Sequence, residues 1–300
     1  MDKGDEHPCP FRPYAVQSPL IRCCLGDQDY MRADLHIHTT ASDGCWPPER
    51  VVSEVKARSI GLFAITDHDT VANLRQTEAL ARDAGLAFLR GVEVNTWLDG
   101  HLFHILAYGF EPDNPTLAEL LRENRGKLDR ASDDVIHNLI AAGYPIDLDD
   151  YLAYEYDRTR GGWKAYNYLL DRGFCTDIRG YFDNLETETP ASILTFPHPA
   201  EAIAAIREAS GTPILAHPGA SLRDAGVTEK TLQPFLDFGV AGLECYHIYN
   251  DEATTRFCLD WCAHHDLLVT GGSDCHGGLV GRELGIPAVD TADLRLGELE

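Results

Sequence analysis

The chain has 300 residues, 44% of them apolar, and a formal net charge of −23 at pH 7. No apolar run reaches the ~18 residues that suggest a membrane span. So acidic a chain also lacks the basic footprint on which long nucleic acid is held through phosphate neutralisation. A local cation can still hold a small phosphate compound, and bound metal would offset part of the carboxylate charge. The length suits one large α/β domain or two small ones. Nine cysteines, an odd number without a framework, point to a reducing cytoplasm. The polar start Met1-Asp2-Lys3-Gly4-Asp5-Glu6 is followed by no h-region, so no signal peptide is expected.

Residues 1–30 are rich in Pro and Cys and carry no periodicity; they read as a poorly ordered leader before a domain of residues 31–300. From there strand and helix patterns alternate. Strands are expected at Arg32–His36, Leu62–Thr66, Phe88–Asn95 and His101–Phe110, with a turn at Leu98-Asp99-Gly100. Helices are expected from Pro47 to Ser59 and from Val71 to Ala84. The rhythm then breaks. Thr116–Ala142 reads as a long charged helix, and Tyr144–Pro190 is polar, aromatic and helical. Residues 113–190 are therefore expected to form a mostly helical insertion capping the site. Alternation resumes with helices at Ala200–Ser210, Thr228–Phe238 and Asp251–His265, and strands at Pro213–Ala216, Ala241–Tyr246 and Leu267–Thr270. Repeated strand–helix units imply a mainly parallel sheet or barrel, whose chemistry sits at the C-terminal strand ends.

Metal-competent side chains cluster at those ends. His36 and His38, two apart on a strand, point together, with Leu35 and Ile37 turned the other way into apolar packing. Asp43 follows on a turn that can fold back. His68, Glu93, His104, His217, Asp274 and His276 complete a set of six imidazoles and three carboxylates. One structural zinc needs about four ligands, so this set suggests two or three ions. Nitrogen and oxygen donors without thiolate suit Mn first, with Fe or Zn as alternatives. Cys275 is expected to face away from the site, and Cys258 and Cys262 to be small buried apolar residues.

The runs His36-x-His38-x4-Asp43-Gly44, Thr66-Asp67-His68-Asp69, Gly91-Val92-Glu93, Ala216-His217-Pro218-Gly219 and Ser273-Asp274-x-His276, in this order, resemble the PHP (polymerase and histidinol phosphatase) family. The resemblance implies a distorted (β/α)7 barrel with a trinuclear centre and a metal-dependent phosphoesterase activity. Carried onto this chain, His36, His38, Glu93 and Asp274 would hold one ion. Glu93 would bridge to a second, held with His104 and His217. Asp43, His68 and His276 would hold the third. A hydroxide bridging two ions would attack phosphorus in line; no residue is assigned to protonate the leaving group.

The insertion is expected to choose the substrate. Arg158, Arg160 and Lys164 lie beside glycines in Asp157-Arg158-Thr159-Arg160-Gly161-Gly162-Trp163-Lys164 and are candidates for a second phosphate. Arg125 and Lys127 are weaker ones, and His198 is a candidate pocket residue. Asp67, Asp69 and Glu244 are expected to orient ligands. His247, like His7, His101, His137, His264 and His265, has no ligand spacing and defaults to a structural or surface role. Nucleotide-acting members of the resembled family tend to carry Thr-Arg-Gly-His-Phe where this chain has Thr159-Arg160-Gly161-Gly162-Trp163. The leading expectation is therefore a cyclic sugar phosphate of the phosphoribosyl 1,2-cyclic phosphate type, cleaved as diester and then monoester. A 3′,5′-nucleoside bisphosphate or an RNA 5′ end comes second and histidinol phosphate third. An amidohydrolase-type C–N hydrolase and a non-catalytic metal-binding module are the readings from other classes. A small phosphorylated partner is expected, with no membrane and no long nucleic acid; the oligomeric state is left open.

Overall fold

The computed structural model describes residues 31–186 and 195–299; the expected leader lies outside them. Eight strands form one sheet: β1 (Arg32–Asp34), β2 (Ile60–Ile65), β3 (Ala87–Leu98), β4 (His101–Tyr108), β5 (Thr212–Leu215), β6 (Gly242–Tyr246), β7 (Leu268–Gly271) and β8 (Val289–Asp290). Their order is β7-β6-β5-β4-β3-β2-β1-β8. Beyond β1 the chain meets the end of β7: Leu35 N donates to Gly271 O at 3.1 Å and His38 N to Cys275 O at 2.9 Å. This seam nearly closes the sheet into the expected distorted barrel. Gly272 is required there, because a Cβ would sit 2.4 Å from the Cβ of His36.

Two features distort the expected, mainly parallel seven-stranded barrel. The two-residue β8 pairs antiparallel with β1. Strand β4 runs antiparallel to both β3 and β5. Its direction follows from Asp99-Gly100: both residues take positive φ (50° and 88°), the backbone of a tight two-residue hairpin turn. The hairpin sends the chain straight back, so the start of β4, carrying His104, lies at the pole where parallel strands end.

Strand β1 also stops earlier than expected, at Asp34. The strict alternation is lost, and Leu35 and Ile37 join different apolar clusters. Leu35 packs with Leu106, Tyr108, Ile214 and Ala216 in a floor beneath the site. Ile37 packs on the helix side, where α1 (Pro48–Ala57), α2 (Leu74–Ala84) and later helices cover the sheet.

The insertion forms a cap of α3 (Pro115–Ala141), α4 (Leu148–Ala153) and α5 (Lys164–Asp171), with shorter turns to Glu186. Asn114 starts α3 by accepting from the amides of Thr116 and Leu117. The cap has its own core of Val135, Ile136, Leu139, Tyr151, Tyr168 and Leu169. It docks on the barrel where Gly162 N donates to Asp43 O at 2.7 Å. The last helices, α6 (Pro199–Glu208), α7 (Glu229–Asp237) and α8 (Glu252–His264), alternate with β5 to β7. Cys258 and Cys262 of α8 are buried, as expected, against Cys245 of β6. Among the described residues no helix is long and apolar enough to cross a membrane.

Candidate metal centre

Glu93 stands at the middle of the barrel mouth, and its two carboxylate oxygens face different partners. Oε2 lies 3.2 Å from His36 Nε2, 3.2 Å from His38 Nε2 and 3.3 Å from His68 Nδ1. Oε1 lies 2.8 Å from His104 Nδ1 and 2.9 Å from His217 Nε2. On one side Asp274 Oδ1 approaches His38 Nε2 at 3.1 Å. On the other, Asp43 Oδ2 is 3.3 Å from His276 Nε2. All nine residues singled out in the sequence thus converge.

The ligand atoms fall into groups spanning at most 4.8 Å. One is His36, His38, Glu93 and Asp274; another is His38, Asp43, His68 and His276. A third combines Glu93 and His104 with His68. His68 is also claimed by the second group, and His104 Nδ1 lies only 3.2 Å from His217 Nε2. With the short His217–Glu93 contact, this makes His217 the better partner for that third position.

These donors fit metal ions. His36 Nε2, His38 Nε2, His68 Nδ1 and Glu93 Oε2 are buried, a few ångströms apart, and without hydrogen bonds. Buried polar atoms are otherwise almost always paired, so their convergence calls for a cation. Several imidazoles are also held in the matching tautomer by their remote nitrogen. His36 Nδ1 pairs with Glu244 Oε1 at 2.9 Å, His276 Nδ1 with the Asp274 carbonyl at 2.8 Å, and His217 Nδ1 with Ser221 Oγ at 3.2 Å. Each leaves the other nitrogen's lone pair facing the centre.

Electrostatics follow the same plan. Burial alone would raise Glu93, but the charges of His104, His36 and His68 hold it well below the usual carboxylate range. Burial would likewise raise Asp274, which the neighbouring imidazoles, His36 foremost, depress. Burial lowers His68 to about 3. It works the same way on His38, but the adjacent Asp274 and Glu93 carboxylates carry that residue up to about 10. His217 and Asp274 also adopt positive φ (28° and 52°), a backbone cost of roughly 1–3 kcal/mol each that clusters at functional sites.

The surrounding layer differs in part from expectation. Glu244 does orient ligands, bonding His36 and the His217 amide. Asp67 and Asp69 instead hold loops. Asp67 accepts from Thr39 and Ser42, and Asp69 from Asn95 and Asn124. Cys275 faces away, its sulfur accepting from Gly277 N. His247, expected to be structural or superficial, is 2% exposed, with Nε2 unpaired 3.6 Å from Asp274 Oδ2. Arg282, not singled out in the sequence, pairs with Asp274 Oδ2. Neither carries a ligand spacing; a Tyr-His-Ile-Tyr run just past a strand end was the available hint for His247.

The cations expected to hold substrate are engaged within the cap. Arg160 makes a two-pronged pair with Asp171 at 2.7 and 2.8 Å. Lys164 Nζ donates to the Leu152 carbonyl at 3.0 Å and lies over the Tyr151 ring. Arg158 ties the cap to the barrel through the carbonyls of Thr40, Ala41 and Ser42. Arg125 is 3.4 Å from Asp129. His198 caps α6 and packs edge-on against Phe238. Tyr166 and Tyr168 are core residues.

Known proteins are similar to this chain over most of its length. The PHP domain profile matches residues 34–181. A 3′,5′-nucleoside bisphosphate phosphatase from Chromobacterium violaceum is 31% identical over 84% of this chain and 90% of its own length. The chain belongs to the PHP domain family. A 5′-3′ exoribonuclease from Haemophilus influenzae is 27% identical to this PHP protein, over 81% of this chain and 89% of its own. So is a phosphoribosyl 1,2-cyclic phosphate 1,2-diphosphodiesterase from Eggerthella lenta, over 82% and 95%. A Bifidobacterium adolescentis structure assigned to the metal-dependent phosphoesterases superposes with a TM-score of 0.73 at 29% identity, covering 85% of this chain and 91% of that one. The PHP protein is accordingly a metal-dependent phosphoric ester hydrolase whose His, Asp and Glu clusters can bind several ions.

Proposed function

We propose that this PHP protein hydrolyses a small phosphate ester that carries a second phosphate. A cyclic sugar phosphate of the phosphoribosyl 1,2-cyclic phosphate type is the first choice and a 3′,5′-nucleoside bisphosphate or RNA 5′ end the second. The observation that carries the hydrolytic reading is the division of Glu93 between two donor sets. His36, His38, Glu93 and Asp274 would hold one ion, Glu93, His104 and His217 a second, and Asp43, His68 and His276 a third. The oxygen and nitrogen donor set favours manganese. Such ions act as Lewis acids on the phosphoryl oxygens and lower the pKa of water toward neutrality.

The chain's own residues provide the rest. Glu93 fixes the spacing of the two donor sets it joins. Glu244 and the Asp274 carbonyl keep the imidazoles of His36 and His276 turned inward. The cap is seated on the Asp43 loop, where Gly162 N donates to Asp43 O. The same seat supports the sugar phosphate over the nucleotide. Gly162 stands where nucleotide-acting relatives tend to carry His, and a Cβ there would lie 2.6 Å from Tyr166. The relatives named for a nucleoside bisphosphate and for RNA support the second choice. The net charge of −23 supports a small substrate over long nucleic acid. No lysine sits among the converging ligands, which removes the bridging group expected of an amidohydrolase-type C–N hydrolase. Unbridged thiols, with Cys245 and Cys262 sulfurs 3.8 Å apart, fit a cytoplasmic setting.

The test is a screen of mono-, cyclic and bisphosphate compounds with manganese-loaded protein. Phosphoribosyl 1,2-cyclic phosphate is expected to be cleaved and then to release inorganic phosphate. Metal-bearing protein that turned over no phosphate ester would sink the proposal.

A further inference from the structure

Resting on that reading, we propose that Arg282, Arg223 and the ring of Tyr249 form an anion subsite on the barrel rim that holds the substrate's second phosphate. The site is built from loops of the second half of the barrel, away from the cap run to which the sequence pointed.

Arg282 lies beside the reacting centre. Its guanidinium pairs with Asp274 Oδ2, and the other oxygen of that carboxylate is 3.1 Å from His38 Nε2. Only a carboxylate separates the cation from the converging ligands. Its side chain is 18% exposed, so it is partly desolvated, and a charge-assisted bond there is stronger than one in open water. The remaining edge faces Tyr249, with Nε and Nη2 donating to its Oη at 3.4 and 3.3 Å.

Tyr249 is 41% exposed and Ile248, beside it, 46%. Two guanidinium groups approach the Tyr249 ring, that of Arg282 5.1 Å from its centre and that of Arg223 5.8 Å. Arg223 follows the short helix Pro218–Ser221, which begins just after His217. Two arginines from different loops therefore converge on one exposed ring at the mouth. Planar forks of this kind match phosphate geometry two donors at a time, and the ring with Ile248 offers an apolar shelf for the carbon skeleton between the phosphates.

The loop bearing Arg282 is fixed at both ends. Gly277 is packed against Trp46, and Leu279 packs into the cap core. Gly285 N donates to buried Asp34 at 2.8 Å. The guanidinium is thus held in place before substrate arrives, which lowers the cost of binding. Arg160 and Arg172 pair instead with carboxylates of the cap itself, Asp171 and Asp150.

The test compares two compounds differing only in the second phosphate: phosphoribosyl 1,2-cyclic phosphate and its counterpart lacking the 5-phosphate. The same is done with adenosine 3′,5′-bisphosphate and adenosine 3′-phosphate. The quantity read is the ratio of kcat/KM within each pair, with metal content measured alongside. R223M, which touches no ligand, and R282K, which keeps a positive charge beside Asp274, are each expected to lower the ratio about tenfold, the size of one charged hydrogen bond. A ratio within twofold of the unmodified protein in both variants overturns the subsite, whether or not overall activity falls. If the unmodified protein turns over neither pair, the proposed function fails. Calorimetric binding of the same intact compounds then decides the subsite alone: a tenfold loss of discrimination in R223M supports it, and none overturns it.

Discussion

The barrel mouth and the cap both concentrate charged side chains, and they treat that charge in opposite ways. At the mouth, Glu93, Asp274 and the imidazoles of His36, His38, His217 and His276 are buried, those of His68 and His104 partly so, with several atoms left without hydrogen bonds. In the cap, Arg160 meets Asp171, Arg172 meets Asp150, and Tyr151 meets Asp133, each on the surface or near it. Unsatisfied polar atoms in a buried cluster are costly and persist where something else completes them. Satisfied pairs at a surface only hold the fold. The difference separates a centre whose donors fit ions from a cap that carries its own charge balance. In the cap, the cationic run of the sequence is engaged with the cap's own groups.

The contrast can be broken most severely at Glu93. E93A removes the carboxylate shared by two donor sets; activity on any phosphate ester should fall more than about a thousandfold. Elemental analysis should show more than one ion lost, with the melting temperature as a check on folding. One remove outward, E244Q weakens the bond to His36 Nδ1 and to the His217 amide. Metal affinity or kcat/KM should drop about 10- to 100-fold, the usual range for partners of metal-ligating imidazoles. Equilibrium dialysis against manganese would read it.

The cap side predicts a different kind of damage. Y168A empties a fully buried position in the cap core and should destabilise the protein by about 3–5 kcal/mol, seen in chemical denaturation. The metal content of the folded fraction should remain as in the unmodified protein. Metal loss in step with unfolding of the cap would erase the distinction drawn between the regions. A smaller test concerns Lys164, whose amine is held by the Leu152 carbonyl. K164A should leave the preference for doubly phosphorylated compounds within about twofold, because that amine makes its bonds inside the cap. A tenfold loss would restore the cap as the phosphate-holding region.

The smallest effect belongs to the Arg160–Asp171 pair. Its hydrogen bonds from Arg160 lower Asp171 to about 2, against roughly 3.9 for a free aspartate. A depressed carboxyl contributes stability that is complete above about pH 4 and is lost as pH falls through 2. The pair is about a third exposed, so screening limits it to about 0.2–1 kcal/mol. D171N should narrow the stability gap between pH 5 and pH 2 by no more than that.

Much of the centre was legible in the sequence because its ligands sit in short runs at strand ends. His36-x-His38 and Asp274-x-His276 announce themselves by spacing, and Glu93 and His217 by place in the strand–helix rhythm. His104 was harder, because it starts a strand that runs against its neighbours; only the Asp99-Gly100 hairpin puts it at the right pole. His247 and Arg282 were not legible. Their roles come from loops that fold back after β6 and β7, and no periodicity marks where such loops land. The partners of the cap cations were hidden for the same reason: sequence shows that Arg160 is charged, but not that Asp171, one helix later, reaches it.

The central claim is that the ligands divide among separate ions joined through Glu93, with Asp43 serving an ion other than the one held by His36 and His38. Elemental analysis of the unmodified protein and D43A, purified in parallel with manganese, tests it directly. The account predicts that D43A loses the single ion of the Asp43, His68 and His276 group and keeps the others. If D43A lost all its metal together, or none, that division would be contradicted.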